Sequence, residues 1–171
     1  MKIPSTAKKI LDKAAIDLKL ERMAYQILEN TYGEKELCLV GIAEGGFDLL
    51  QNIVQIIQTI DNKIKIEITE LTINKRNPTA DKITLSKQLD FNNKTVCFID
   101  DVANSGKTLY YAQQILANYS IKSNYIVVLI DRTHKKFPIK ADIVGMPIAT
   151  TLNEHIIVDF KQNTAQAAYL F

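Results

Sequence analysis

Three uninterrupted apolar runs constrain this chain more than any other feature: "LCLVG" at Leu37–Gly41, "TVCFID" at Thr95–Asp100 and "YIVVLID" at Tyr125–Asp131. A strand with one face in water alternates apolar and polar residues. Continuous Val, Ile, Leu and Phe instead demand burial on both faces, which means a parallel sheet covered on each side by helices.

The intervening segments supply those helices. Asp12 is placed to cap a helix in which Ile16, Leu20, Met23, Ala24, Ile27 and Leu28 recur at helical spacing, and Gly33 supplies the stop. "FDLLQNIVQIIQTI" sets Phe47, Leu50, Ile53, Val54 and Ile57 on one helical face. A third helix is expected from about Lys107 to Tyr119. "KIKIEIT" alternates strictly, with Ile64, Ile66 and Ile68 on one side, as a strand does. The polar, basic stretch Ile73–Thr84, broken by Pro78, reads as a mobile hairpin or a loop ordered on binding. "HKKFPIKADIVGM" is irregular with a short strand, and "EHIIVDF" is the last strand expected. With no internal repeat or linker, the reading is one α/β domain over residues 1–171.

Charge and cysteine content exclude several classes. A net charge of +2 does not by itself imply nucleic-acid binding, and the basic residues near the start read as a solvated helix face. Cys38 and Cys97 lie inside apolar strands and read as small core residues in a reducing compartment. No apolar run approaches the ~20 residues of a membrane span, and the start lacks a secretory apolar region. No membrane partner and a cytoplasmic location are expected.

Two strand ends carry the chemistry. After "VCFI" come Asp100 and Asp101, then Val102, Ala103, Asn104, Ser105, Gly106, Lys107 and Thr108. A P-loop would need glycine where Asp101 stands, and a carboxylate there would repel a triphosphate. The turn instead offers backbone N–H groups and the hydroxyls of Ser105 and Thr108 to an anion, while the two acids can only accept hydrogen bonds. Hydroxyl recognition beside phosphate recognition describes a ribose 5-phosphate. The second loop, "GIAEGG", is glycine-rich and lies between a strand and a helix, where backbone can approach an anion closely.

Four apolar positions, two acids, then Val-x-x-Ser-Gly-x-Thr resembles the signature of type I phosphoribosyltransferases, which bind phosphoribosyl pyrophosphate (PRPP). Ser105 stands where threonine is usual. Beyond the motif, Asp131, Arg132, His134, Pro138, Ile139, Ala141 and Asp142 are similar to a tract of the pyrimidine operon attenuator/uracil phosphoribosyltransferases.

The resemblance implies a single-domain parallel-sheet fold with a small hood and a flexible loop. It implies a pentosyltransferase that makes UMP and pyrophosphate from PRPP and a nucleobase, most simply uracil, with Mg²⁺. A nucleotide-sensing, RNA-binding regulator with little or no catalysis is the alternative, and a homodimer or higher oligomer is expected.

By the same resemblance, Asp100 and Asp101 hold the ribose hydroxyls and, indirectly, the metal. Residues Ala103–Thr108 hold PRPP, and Ala43, Glu44, Gly45 and Gly46 form the pyrophosphate loop. Lys75 and Arg76 serve catalysis from the lid, and Arg132, His134, Met146 and Ile148 are candidates for the base and hood region. Arg132 could bridge Asp131 or approach a pyrophosphate. The family's arginine in the pyrophosphate loop is replaced by Gly45, and a lid arginine by Lys75. Asn104 occupies a place where purine-specific relatives carry an aspartate, and an amide cannot act as a general base.

Overall fold

The computed structural model describes residues 3–151 and 154–171. Its centre is a six-stranded sheet in the order β4-β3-β2-β5-β6-β7. These strands are β2 (Glu36–Ile42), β3 (Lys65–Thr72), β4 (Thr84–Leu85), β5 (Thr95–Ala103), β6 (Ser123–Arg132) and β7 (Ile143–Ile148). All neighbours pair in parallel except the short β4, which folds back on β3 with Leu71 opposite Leu85. The segment between β3 and β4 is therefore a hairpin.

The three apolar runs lie in β2, β5 and β6, the inner strands, where every residue from Leu37 to Ile42 and from Val96 to Asp100 is buried. One face packs against α1 (Lys13–Asn30) and α2 (Gly45–Ile60) through Ile16, Met23, Leu50 and Ile53. The other face is covered by Phe91, Leu109, Ala112 and Leu116. Burying each such Leu or Ile stabilises the fold by ~1.5–3 kcal/mol. Asp12 caps α1, its carboxylate accepting from the Ala15 amide at 2.8 Å. Cys38 and Cys97 are buried in separate clusters, and burial pushes their thiols up to about 11 and about 12. No helix among the described residues is long and apolar enough to cross a membrane.

The third helix is shorter than its sequence suggests. α3 runs Lys107–Ala112 and tightens into a 3-10 turn at Gln113–Leu116. A second, three-stranded antiparallel sheet, β1-β9-β8, is built from β1 (Lys8–Leu11), β8 (Ile156–Lys161) and β9 (Thr164–Leu170). Only β8 was expected from sequence. β1 is short and lysine-rich, and β9, "TAQAAYL", has the alanine content of a helix. The β8–β9 turn places both Gln162 and Asn163 at positive φ without a glycine, so the usual hairpin signal is missing.

β2 runs on to β3 on one side, and β5 leads to β6 and β7 on the other. The C-terminal ends of β2 and β5 thus flank the point where the winding direction reverses, the position at which parallel sheets bind ligands.

Candidate active site

β5 continues past Asp100 through Asp101, Val102 and Ala103, so the acid pair belongs to the strand itself. Adjacent strand residues project to opposite sides. Asp100 is accordingly buried and lines a cleft of about 280 Å³ with Val102–Leu109. Asp101, half-buried, lines a larger cleft of about 750 Å³. Lys75, Val102 and Asn104 line both, so the two clefts adjoin at these residues.

The electrostatics are those of a site held against its own preference. Burial first, and then the Asp101 carboxylate, push the Asp100 carboxyl well above the usual range, with Lys75 pulling the other way. Among the described residues, the one backbone N–H that donates to Asp100 is that of Asp101, at 3.1 Å. Asp48, in the first turn of α2, is likewise raised by burial and then by Asp101 and Glu44.

The turn after β5 is held by identifiable contacts. Gly106 adopts φ +82°, a left-handed conformation that side-chain-bearing residues rarely take. The Ser105 hydroxyl accepts from the Lys107 amide at 3.3 Å, and the Ser105 carbonyl accepts from the amides of Lys136 and Phe137. Lys135, which sequence reasoning did not single out, donates to the carbonyls of Ala103, Asn104 and Arg132 at 3.0, 3.2 and 3.0 Å, and pairs with Asp131. Its only sequence signal was its spacing of four from Asp131.

The Ala43–Glu44 peptide bond is cis, and Glu44 is exposed at the cleft rim. Gly45 sits so close to β5 that a Cβ there would lie 2.5 Å from the Asp101 Oδ2. Gly46 meets backbone instead, with a Cβ 2.5 Å from the Ile99 carbonyl oxygen. Of the two residues expected to act from a lid, Lys75 reaches both clefts. Arg76 lines neither, and its carbonyl accepts from the Lys107 ammonium at 2.9 Å. Asn74 stitches this loop internally, accepting from the amides of Arg76 and Asn77.

Arg132 does not bridge Asp131, and it lines the larger cleft. Buried at 5% exposure, it donates to the Thr150 hydroxyl at 2.6 Å, the Asn104 side-chain oxygen at 2.7 Å and the Thr151 carbonyl at 2.9 Å. Asp131 is left to Lys135. His134 is exposed, and Met146 and Ile148 lie on β7, packed against the main core; none of the three lines either cleft. The far wall of the larger cleft is β8 instead, through Ile156, Val158, Asp159 and Phe160, together with His155. Sequence reasoning recognised β8 as a strand but had no signal for the sheet that folds it over the site.

Residues 6–164 match the phosphoribosyl transferase domain family. Among curated relatives, the Bifunctional protein PyrR of Macrococcus caseolyticus is 36% identical over 155 residues, covering 87% of this chain and 89% of the relative. That of Caldicellulosiruptor bescii is 33% identical over 167 residues, covering 91% of each. Among solved structures, the hypoxanthine phosphoribosyltransferase of Trypanosoma cruzi superposes with a TM-score of 0.76 at 16% identity, covering 94% of this chain and 95% of that one. A hypoxanthine-guanine phosphoribosyltransferase from Bacillus anthracis gives 0.74 at 19% identity, covering 94% and 96%.

Proposed function

The chain belongs to the phosphoribosyl transferase domain family, and from that membership we propose that it transfers the phosphoribosyl group of PRPP to uracil, giving UMP and pyrophosphate. One observation carries the reading. An acid pair and a hydroxyl-bearing turn share one strand end at the reversal point of a parallel sheet, lining a cleft that opens into a larger one. The smaller cleft suits a ribose 5-phosphate, and the larger has room for a base and a leaving diphosphate. Uracil is favoured by the likeness of the Val127–Thr151 tract to the pyrimidine branch and by the neutral Asn104. The reading covers residues 1–171 as one domain, working in the cytoplasm as a homodimer or higher oligomer.

In this reading Asp100 and Asp101 accept hydrogen bonds from the ribose hydroxyls. Ser105, Lys107 and Thr108 donate to the 5-phosphate on a backbone shaped by Ala103, Asn104 and Gly106. Ala43, Glu44, Gly45 and Gly46 flank the diphosphate. Breaking the anomeric bond leaves positive charge on the sugar, which the two carboxylates stabilise. Negative charge grows on the leaving group, which Lys75 faces. The acid pair also fits a divalent cation, because Asp101 already raises the Asp100 carboxyl and a nearby positive charge relieves that repulsion. Asp100 and Asp101 would hold Mg²⁺, through ribose hydroxyls or water, and the ion would supply Lewis-acid stabilisation of the diphosphate.

A second reading, a nucleotide-sensing RNA-binding regulator, is favoured by one feature of the diphosphate side. Glu44, Asp48, Asp101 and Asp159 line the large cleft around Gly45, where the pyrimidine branch carries an arginine. Incubating the protein with PRPP, Mg²⁺ and a panel of nucleobases decides between them. UMP formation that disappears in Asp100→Asn/Asp101→Asn supports the enzyme. Absence of turnover with every base, together with salt-sensitive RNA binding, supports the regulator.

A further inference from the structure

The acceptor base has to meet the sugar where the two clefts join, and Asn104 stands at that junction. Its orientation is fixed from two sides. Lys135 holds its backbone carbonyl at 3.2 Å, and the Arg132 guanidinium holds its side-chain oxygen at 2.7 Å. A guanidinium can only donate, so the atom facing Arg132 must be the amide oxygen. The NH₂ end is thereby turned away from Arg132. Among the described residues, Asn104 Nδ2 makes no hydrogen bond, although the residue is exposed to both clefts. Arg132 cannot easily swing, because its other two contacts tie it to Thr150 and Thr151 and it is 5% exposed.

We propose that Asn104, aligned by Arg132, is a specificity-determining residue that donates a hydrogen bond to a carbonyl oxygen of the acceptor pyrimidine. The inference rests on the phosphoribosyltransferase reading and adds the sense of the contact. The protein presents a donor, so a base offering a carbonyl edge is accepted, and one that must itself donate at that point is refused. Arg132 is a positioning residue, because it acts through Asn104.

The test uses nucleotide binding, which both enzyme and regulator would retain. UMP, 2-thio-UMP and 4-thio-UMP are titrated calorimetrically into the full chain and into Asn104→Ala and Arg132→Lys. Sulfur is a poor hydrogen-bond acceptor, so one of the two thio compounds should bind the parent about tenfold more weakly than UMP. That discrimination should vanish in Asn104→Ala and shrink in Arg132→Lys, and PRPP is titrated into the parent alongside. A parent that does not discriminate overturns the inference, as does discrimination that survives Asn104→Ala. If PRPP binds and UMP does not, the inference and the choice of uracil fall while the PRPP assignment stands. If PRPP also fails to bind, the phosphoribosyltransferase reading falls with them.

Discussion

Replacing Asp100 by Asn should make the ligand-free protein more stable while removing its function. The substitution keeps the shape and the oxygen that accepts from the Asp101 amide at 3.1 Å. It removes a carboxylate that is 4% exposed and whose ionisation is opposed by burial and by Asp101. The sign follows from linkage. A carboxyl raised in the folded state binds its proton more tightly there than in the unfolded chain, so stability falls as pH rises from the unfolded value, about 3.9, toward the folded one. Below that window both states are protonated and the variant should match the parent. The cost grows as pH rises through that window, and removing a buried carboxylate with so few donors should stabilise by about 1–2 kcal/mol. For a chain of this size that is a rise in melting temperature of roughly 2–8 °C. Thermal melts of both proteins from pH 3.5 to 8, with PRPP and Mg²⁺ titrations at pH 8, measure the two halves. A variant less stable than the parent at pH 8 refutes the electrostatic account, and unchanged PRPP affinity refutes the assignment of Asp100.

Gly45→Ala and Gly46→Ala should part company, although the two are neighbours. The added Cβ at 45 meets the movable end of Asp101, so PRPP affinity should drop about tenfold with little loss of stability, whereas at 46 it meets backbone of β5 and should cost about 1–3 kcal/mol in denaturant melts. Lys135→Met leaves three carbonyls and Asp131 without their shared cation and should destabilise by about 1–3 kcal/mol, read by urea unfolding; a neutral result would remove Lys135 as the clamp of the turn. At the opposite end of the sheet, Lys94 bridges Glu36 and Glu67 at 2.8 Å each, and hydrogen bonds from Lys94 and then Lys65 hold Glu36 down at about 2. That stability is present above the ordinary carboxylate value, about 4.3, and is lost as pH falls toward about 2. Lys94→Met should therefore flatten the acid limb of the stability profile, and an unchanged limb would count against the cluster.

The local chemistry of the chain was legible because it depends on neighbours in sequence. Unbroken Val, Ile, Leu and Phe runs can only be inner strands, so β2, β5 and β6 were fixed by burial on both faces. The acid pair, the hydroxyl turn and the glycine loop could be read because each is a contiguous segment, and the same contiguity carried the family resemblance. The three-stranded sheet was hidden because β1 and β9 lie at opposite ends of the sequence. Their strand character comes from pairing with each other, with Lys8 opposite Leu170, and not from their composition. The cleft wall formed by β8 inherits that dependence. Arg132 is the sharpest case. Its charge was visible in the sequence, but three of its possible partners lie 18 to 28 positions away, and only packing selects Asn104, Thr150 and Thr151 over the adjacent Asp131. Sequence determined which groups the site could offer. Tertiary structure decided which way they face, because a hydrogen bond's direction is set by whichever donor the fold brings within reach.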